Sequence, residues 1–146
     1  MTAPPSQLPD LSGVTVLIVD DDEDAIEVLS TMMNACGAEV LFARSATEGL
    51  AYLDTTPHVD VVVTDISMPN IDGYEFTRKI REHSSPAHRS VPVVALTAFH
   101  QTYLITETFD AFLQKPVDLE RLSAVIKVLL ARRRASAWRP GRPQRP

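Results

Sequence analysis

The chain has 146 residues, 45% apolar, 23% charged and 6% aromatic, the balance of one compact domain, leaving no room for a second, effector domain. One cysteine, Cys36, excludes a disulfide framework and suits a reducing compartment. The net charge of −5 is uneven: all 19 acidic residues precede residue 121, while Arg132, Arg133, Arg134, Arg139, Arg142 and Arg145 crowd the last fifteen positions. An acidic body with a basic, proline-rich end argues against a duplex-DNA reader, whose binding surface belongs to the folded domain.

Residues 1–12 hold Pro4, Pro5 and Pro9 and few large apolar groups, so a disordered lead is expected. Met1 to Pro5 is neither a charged nor an apolar targeting segment, and runs such as Val14 to Val19 are far short of a membrane span. A soluble, cytoplasmic protein is expected. The body, residues 13–131, alternates short apolar runs with helix-period stretches. Val14 to Val19, Val61 to Val63 and Val93 to Leu96 are continuous and rich in β-branched residues, as parallel strands covered on both faces should be. Glu39 to Ala43 and Ala111 to Leu113 are weaker candidates for outer strands.

Between them, Ile26, Leu29, Met33 and Cys36 share one helical face, and Gly37 can end that helix in the left-handed conformation. Ser45 with Glu48, and Asp72 with Glu75, have capping-box spacing. Asp118 can cap a last helix whose apolar face includes Leu119, Leu122, Ile126 and Leu129. Five strand–helix units with short links predict a doubly wound α/β fold with a five-stranded parallel sheet and helices on both faces. In such sheets ligands bind beyond the carboxyl ends of the strands.

Those ends read Asp20-Asp21-Asp22, Asp65, Thr97 and Lys115-Pro116. Each has a plain structural explanation: an aspartate cluster can cap a helix, a lone aspartate can open a loop, a threonine can cap the next segment and a lysine before proline can be solvated. Together they place several carboxylates, a hydroxyl and an ammonium on one sheet edge. Paired carboxylates suit a hard divalent ion such as Mg²⁺, which keeps waters for a phosphate. The hydroxyl and ammonium can hold phosphoryl oxygens, and a carboxylate can itself be the nucleophile.

From about Val14 to Leu130 the chain resembles the receiver domain of two-component response regulators. The resemblance rests on Val16-Leu17-Ile18-Val19-Asp20-Asp21-Asp22, on Val62-Val63-Thr64-Asp65-Ile66-Ser67-Met68-Pro69-Asn70-Ile71-Asp72-Gly73, on Ala95-Leu96-Thr97-Ala98 and on Phe112-Leu113-Gln114-Lys115-Pro116. It implies a flavodoxin-like sheet of order 2-1-3-4-5 and a phosphorylation switch with Asp65 as phosphoacceptor. The donor would be a sensor histidine kinase, a phosphotransfer protein or a small donor such as acetyl phosphate. Mg²⁺, or Mn²⁺ in its place, would be held by Asp20, Asp21, Asp65 and the backbone carbonyl of Ser67. Thr97 would bond a phosphoryl oxygen and Lys115 would pair with its charge, with Lys115-Pro116 cis as is common in that family. Phe112 stands at the switch-aromatic position, and is read equally as an outer-strand residue packing on a helix. With no effector domain, output would come through an unidentified partner protein, with a homodimer as one form.

Two departures from the family pattern stand out. Only 18 positions separate Thr97 from Lys115, roughly one helical turn fewer than receivers usually have. The intervening segment from His100 to Thr108 is threonine-rich without an apolar stripe, so a short or irregular fourth helix is expected. Ser67 and Phe99 would flank the path of the hydrolytic water, and the apolar Phe99 predicts slow loss of the phosphoryl group. The four histidines form no i, i+4 pair, against a transition-metal site. The tail, residues 132–146, reads as a solvated extension, or as a docking segment for an acidic partner, nucleic acid or a membrane surface.

Two other readings compete. In a haloacid-dehalogenase-type phosphohydrolase Asp20 would be the nucleophile, but that leaves Asp65 unexplained and lacks a late acidic pair. A pseudo-receiver would keep the fold and bind partners without phosphorylation.

Overall fold

The computed structural model describes residues 8–98 and 108–137. Five strands, β1 (Thr15–Val19), β2 (Glu39–Ala43), β3 (Val61–Asp65), β4 (Val93–Thr97) and β5 (Ala111–Gln114), form one parallel sheet of order β2-β1-β3-β4-β5. The helices are α1 (Glu23–Ala35), α2 (Ala46–Thr55), α3 (Gly73–Arg81), α4 (Pro86–Arg89) and α5 (Leu119–Ala137). The doubly wound, flavodoxin-like architecture is the one expected.

Alternation along the central strands produces the two layers. Val16 and Ile18 of β1, with Val61, Val63, Val94 and Leu96, face α1 and α5, where Ile26, Leu29, Met33, Leu122 and Ile126 meet them. Leu17 and Val19, with Val62, Val93 and Ala95, face the other way onto Leu53, Phe76 and Ile80 of α2 and α3. Both faces are covered, so the central strands need apolar residues at every position. Cys36 packs in the α1 layer as expected, and burial raises its thiol pKa.

The helix starts follow the cap signals. Ser45 Oγ accepts from the Glu48 N–H, an Asp72 carboxylate oxygen from Glu75 N–H, and Asp118 Oδ1 from Glu120 N–H. Gly37, at φ +89°, follows the α1 C-cap. The short α4 lies before β4. The segment expected to carry the irregular fourth helix falls largely on residues 99–107, outside the described residues, as does Phe99.

Candidate functional site

Strand register assembles the site. Val19 pairs with Thr64, so Asp20 and Asp65 stand side by side at the carboxyl ends of β1 and β3. Asp65 pairs with Leu96, and Thr97 with Gln114, so Thr97 and Lys115 follow on the next two strands. The Lys115 N–H donates to the Thr97 carbonyl at 2.7 Å, fixing the start of the β5–α5 loop against β4. Lys115-Pro116 is cis.

Asp20 is 1% exposed and Asp65 9%. Lys115 Nζ lies 3.2 Å from Asp20 Oδ2 and 3.5 Å from Asp65 Oδ1. Asp20 Oδ1 accepts from the Asp22 N–H at 2.9 Å, and Asp22 in turn caps α1 by accepting from Asp24 N–H. One carboxylate oxygen from each of Asp20, Asp21 and Asp65 falls within 4.8 Å of the others. Three carboxylates against one ammonium leave an excess of negative charge in a partly desolvated site, and an oxygen-only donor set fits a hard divalent cation.

The electrostatics follow from that crowding. Burial, and then the charge of Asp20, push the Asp65 carboxyl above the usual aspartate range, with Lys115 pulling in the opposite direction. Burial also disfavours the Lys115 ammonium, but the charges of Asp20 and Asp65 outweigh it and hold that group above the ordinary lysine value. Thr97 is buried at the end of β4. Ser67 sits in the exposed loop beyond β3, whose turn uses Asn70 at φ +68°. Phe112 is 45% exposed while its neighbour Leu113 faces the core, so this aromatic points outward from β5.

Gly73 contributes in a way its turn-forming character does not announce. Its N–H donates to the Ile66 carbonyl at 2.8 Å, and a Cβ there would stand 2.7 Å from the Asp65 carbonyl oxygen and 2.8 Å from Ile66 Cα. The first residue of α3 thus braces the backbone that carries Asp65. Thr77 Oγ1 bonds the Gly73 carbonyl one turn later. Among the described histidines, His83 pairs with Asp54, His58 with Asp60, and His88 Nε2 lies 2.8 Å from the Thr56 carbonyl. None of these three reaches the carboxylates.

The chain is similar to known proteins. Response regulator Rre1 of Synechocystis is 38% identical over 130 residues, covering 85% of this chain and 54% of that protein. Sensor histidine kinase AtsR of Burkholderia thailandensis is 33% identical over 130 residues, covering 87% of this chain and 21% of the kinase. The chain therefore spans about half the length of the first relative and a fifth of the second. A response regulator receiver domain from Clostridium thermocellum superimposes with a TM-score of 0.74 at 27% identity, covering 84% of this chain and 98% of the other. Among the described residues no helix is long and apolar enough to cross a membrane. The profile of the response regulator receiver domain matches residues 16–127, a span that runs from β1 into α5 and includes every strand end at the site, and the chain belongs to that family.

Proposed function

We propose that the protein is a phosphorylation switch of a two-component phosphorelay, accepting a phosphoryl group on Asp65 and acting by binding a partner protein. The observation that carries this reading is the position of Lys115 Nζ, within 3.5 Å of Asp65 and 3.2 Å of Asp20, beside three converging carboxylates. An Asp65 oxygen attacks the phosphorus of a phosphohistidine on a sensor kinase or phosphotransfer protein. The P–N bond breaks as the O–P bond forms, and the departing imidazole nitrogen takes a proton. Lys115 pairs with the phosphoryl oxygens, and Thr97, at the adjoining strand end, donates its hydroxyl to one of them.

Asp20, Asp21, Asp65 and the Ser67 carbonyl would hold Mg²⁺, or Mn²⁺, which when bound supplies positive charge to neutralise carboxylate and phosphoryl oxygens. The protein's own contribution is to hold Asp65 rigidly between Asp20 and Lys115. The outward-facing Phe112 is the aromatic whose exposure would report the switch, and the β5–α5 side is the surface offered to a partner or to a second copy. Residues 13–131 form the signalling unit in this reading, preceded by a lead of residues 1–12 that, contrary to the expectation of disorder throughout, joins the fold at Leu11, which is buried in the α1 layer and whose N–H donates to the Cys36 carbonyl at 2.7 Å. Of the tail 132–146, the first residues continue α5.

A hydrolase with Asp20 as nucleophile fits less well: Asp20 has one oxygen taken by the Asp22 N–H and the other by Lys115, and membership in the receiver family leaves that reading without support. The test is transfer from a radiolabelled, phosphorylated histidine kinase in the presence of Mg²⁺. Label should pass to the wild type and not to Asp65→Asn. Equal labelling of the variant would refute the assignment.

A further inference from the structure

At the opposite edge of the sheet from the carboxylates, the last turns of α5 close a cavity of about 460 Å³. Its floor is apolar, formed by the buried Pro92 and Leu129, and its walls carry Arg132, Arg133 and Ser136 of α5. The hydrogen-bond accounting of those walls is uneven. Arg133 Nη1 donates to the carbonyls of Val59 and Asp60, each at 3.3 Å, and Nη2 to that of Ala87 at 2.7 Å. These acceptors are neutral, so they fix the guanidinium in place without cancelling its charge.

The one carboxylate at the cavity, Asp110, is already committed: its Oδ2 accepts from Arg81 Nη2 and from the Val93 N–H, both at 2.8 Å. The Asp60 carboxylate is turned to Thr15 N–H and His58. Arg132 makes no ion pair among the described residues and stands one turn before Ser136 on the same helical face. The lining thus holds two guanidiniums against one carboxylate, and that carboxylate is already paired with Arg81. The C-terminal dipole of α5, roughly half a charge, does not offset the difference.

We propose that this cavity binds a small organic phosphate, with the oxyanion on the fork of Arg132, steadied by the fixed charge of Arg133, and the apolar body of the ligand on Pro92 and Leu129. The volume lies within the range of small-molecule sites, about 300–1,000 Å³. A single guanidinium fork satisfies both oxygens of a carboxylate, whereas a phosphate has a further oxygen, for which the Ser136 hydroxyl is the remaining donor. The site is separate from Asp65 and its existence does not depend on phosphoryl transfer.

The test uses the full chain in EDTA, so that metal-assisted binding at the carboxylate site does not contribute, and follows backbone amide resonances during titration with ADP. Saturable shifts are expected at Arg132, at Ser136 and at Ser90, which also lines the cavity, with inorganic phosphate acting on the same amides more weakly because it lacks an apolar body. Arg132→Ala, an exposed position, should retain the wild-type melting temperature and weaken ADP binding about tenfold or more, the loss of a charge-assisted hydrogen bond. Absence of saturable shifts at these amides would overturn the proposal. So would unchanged affinity in Arg132→Ala, which would assign binding to the arginines beyond α5, and so would an equal response to polyglutamate.

Discussion

Lys115 Nζ donates to Asp20 Oδ2 at 3.2 Å, joining residues 95 positions apart in sequence, and the same ammonium reaches Asp65. Removing it leaves two largely buried carboxylates without their cation. Breaking a fully buried pair costs about 3–5 kcal/mol. Because the lysine side chain is 28% exposed, Lys115→Met should cost less, about 2 kcal/mol, read from urea unfolding. Unchanged stability would mean that water, not Lys115, balances the site.

The Asp65 carboxyl is raised by burial and by Asp20, so its ionisation opposes folding. A raised folded-state value favours the fold below the unfolded value, and that contribution is lost as pH rises through the folded one. In metal-free buffer, Asp65→Asn should therefore raise the melting temperature at pH 7. The gain should shrink toward about pH 3, where the wild-type carboxyl is protonated in both states. Calorimetry with EDTA across this range checks the sign. A lower melting temperature for the variant at pH 7 would contradict it.

Adding Mg²⁺ should act in the opposite sense to that repulsion. At one hundred times its dissociation constant it should stabilise the wild type by about 2.7 kcal/mol. The effect should reverse on chelation and be much reduced in Asp20→Asn. Equal stabilisation of wild type and variant would place the ion elsewhere.

Gly73→Ala would force a Cβ to 2.7 Å from the Asp65 carbonyl oxygen. Since that neighbour is backbone, relief requires moving α3 or the end of β3, at about 1–3 kcal/mol. Loss of stability should be accompanied by a lower yield of acyl-phosphate, although no reacting group is altered. Wild-type stability and yield together would show that the loop relaxes freely.

Arg133 ties α5 to the amino end of β3 and to α4 through three carbonyls. Arg133→Ala should cost about 2 kcal/mol in urea unfolding, the range for hydrogen bonds to charged groups. Arg133→Lys should recover only part of this, since one ammonium does not reproduce a planar fork. Full recovery would reduce the contact to simple charge.

Much of this architecture was legible because one residue type decides one feature. Continuous β-branched runs mark strands covered on both faces, and Ser45, Asp72 and Asp118 mark helix starts through bonds to backbone N–H groups two or three residues on. Parallel register then carries Asp20, Asp65, Thr97 and Lys115 to a common edge. Long-range polar contacts carry no such local signal. The bonds from Arg133 to Val59, Asp60 and Ala87, and from Arg81 to Asp110, join positions tens of residues apart. The four-residue α4 is about one turn, too short for an apolar period to repeat, and α5 extends to Ala137 past Leu130, its last large apolar residue. The close approach of Gly73 to Asp65 was hidden behind its more obvious role as a turn residue.

The most direct measurement is to incubate the protein with Mg²⁺ and acetyl phosphate, trap any acyl-phosphate by borohydride reduction and locate the modified residue by peptide mass spectrometry. The proposed switch requires modification at Asp65, lost in Asp65→Asn and diminished in Lys115→Met. Modification at Asp20, or none at any aspartate, would contradict it.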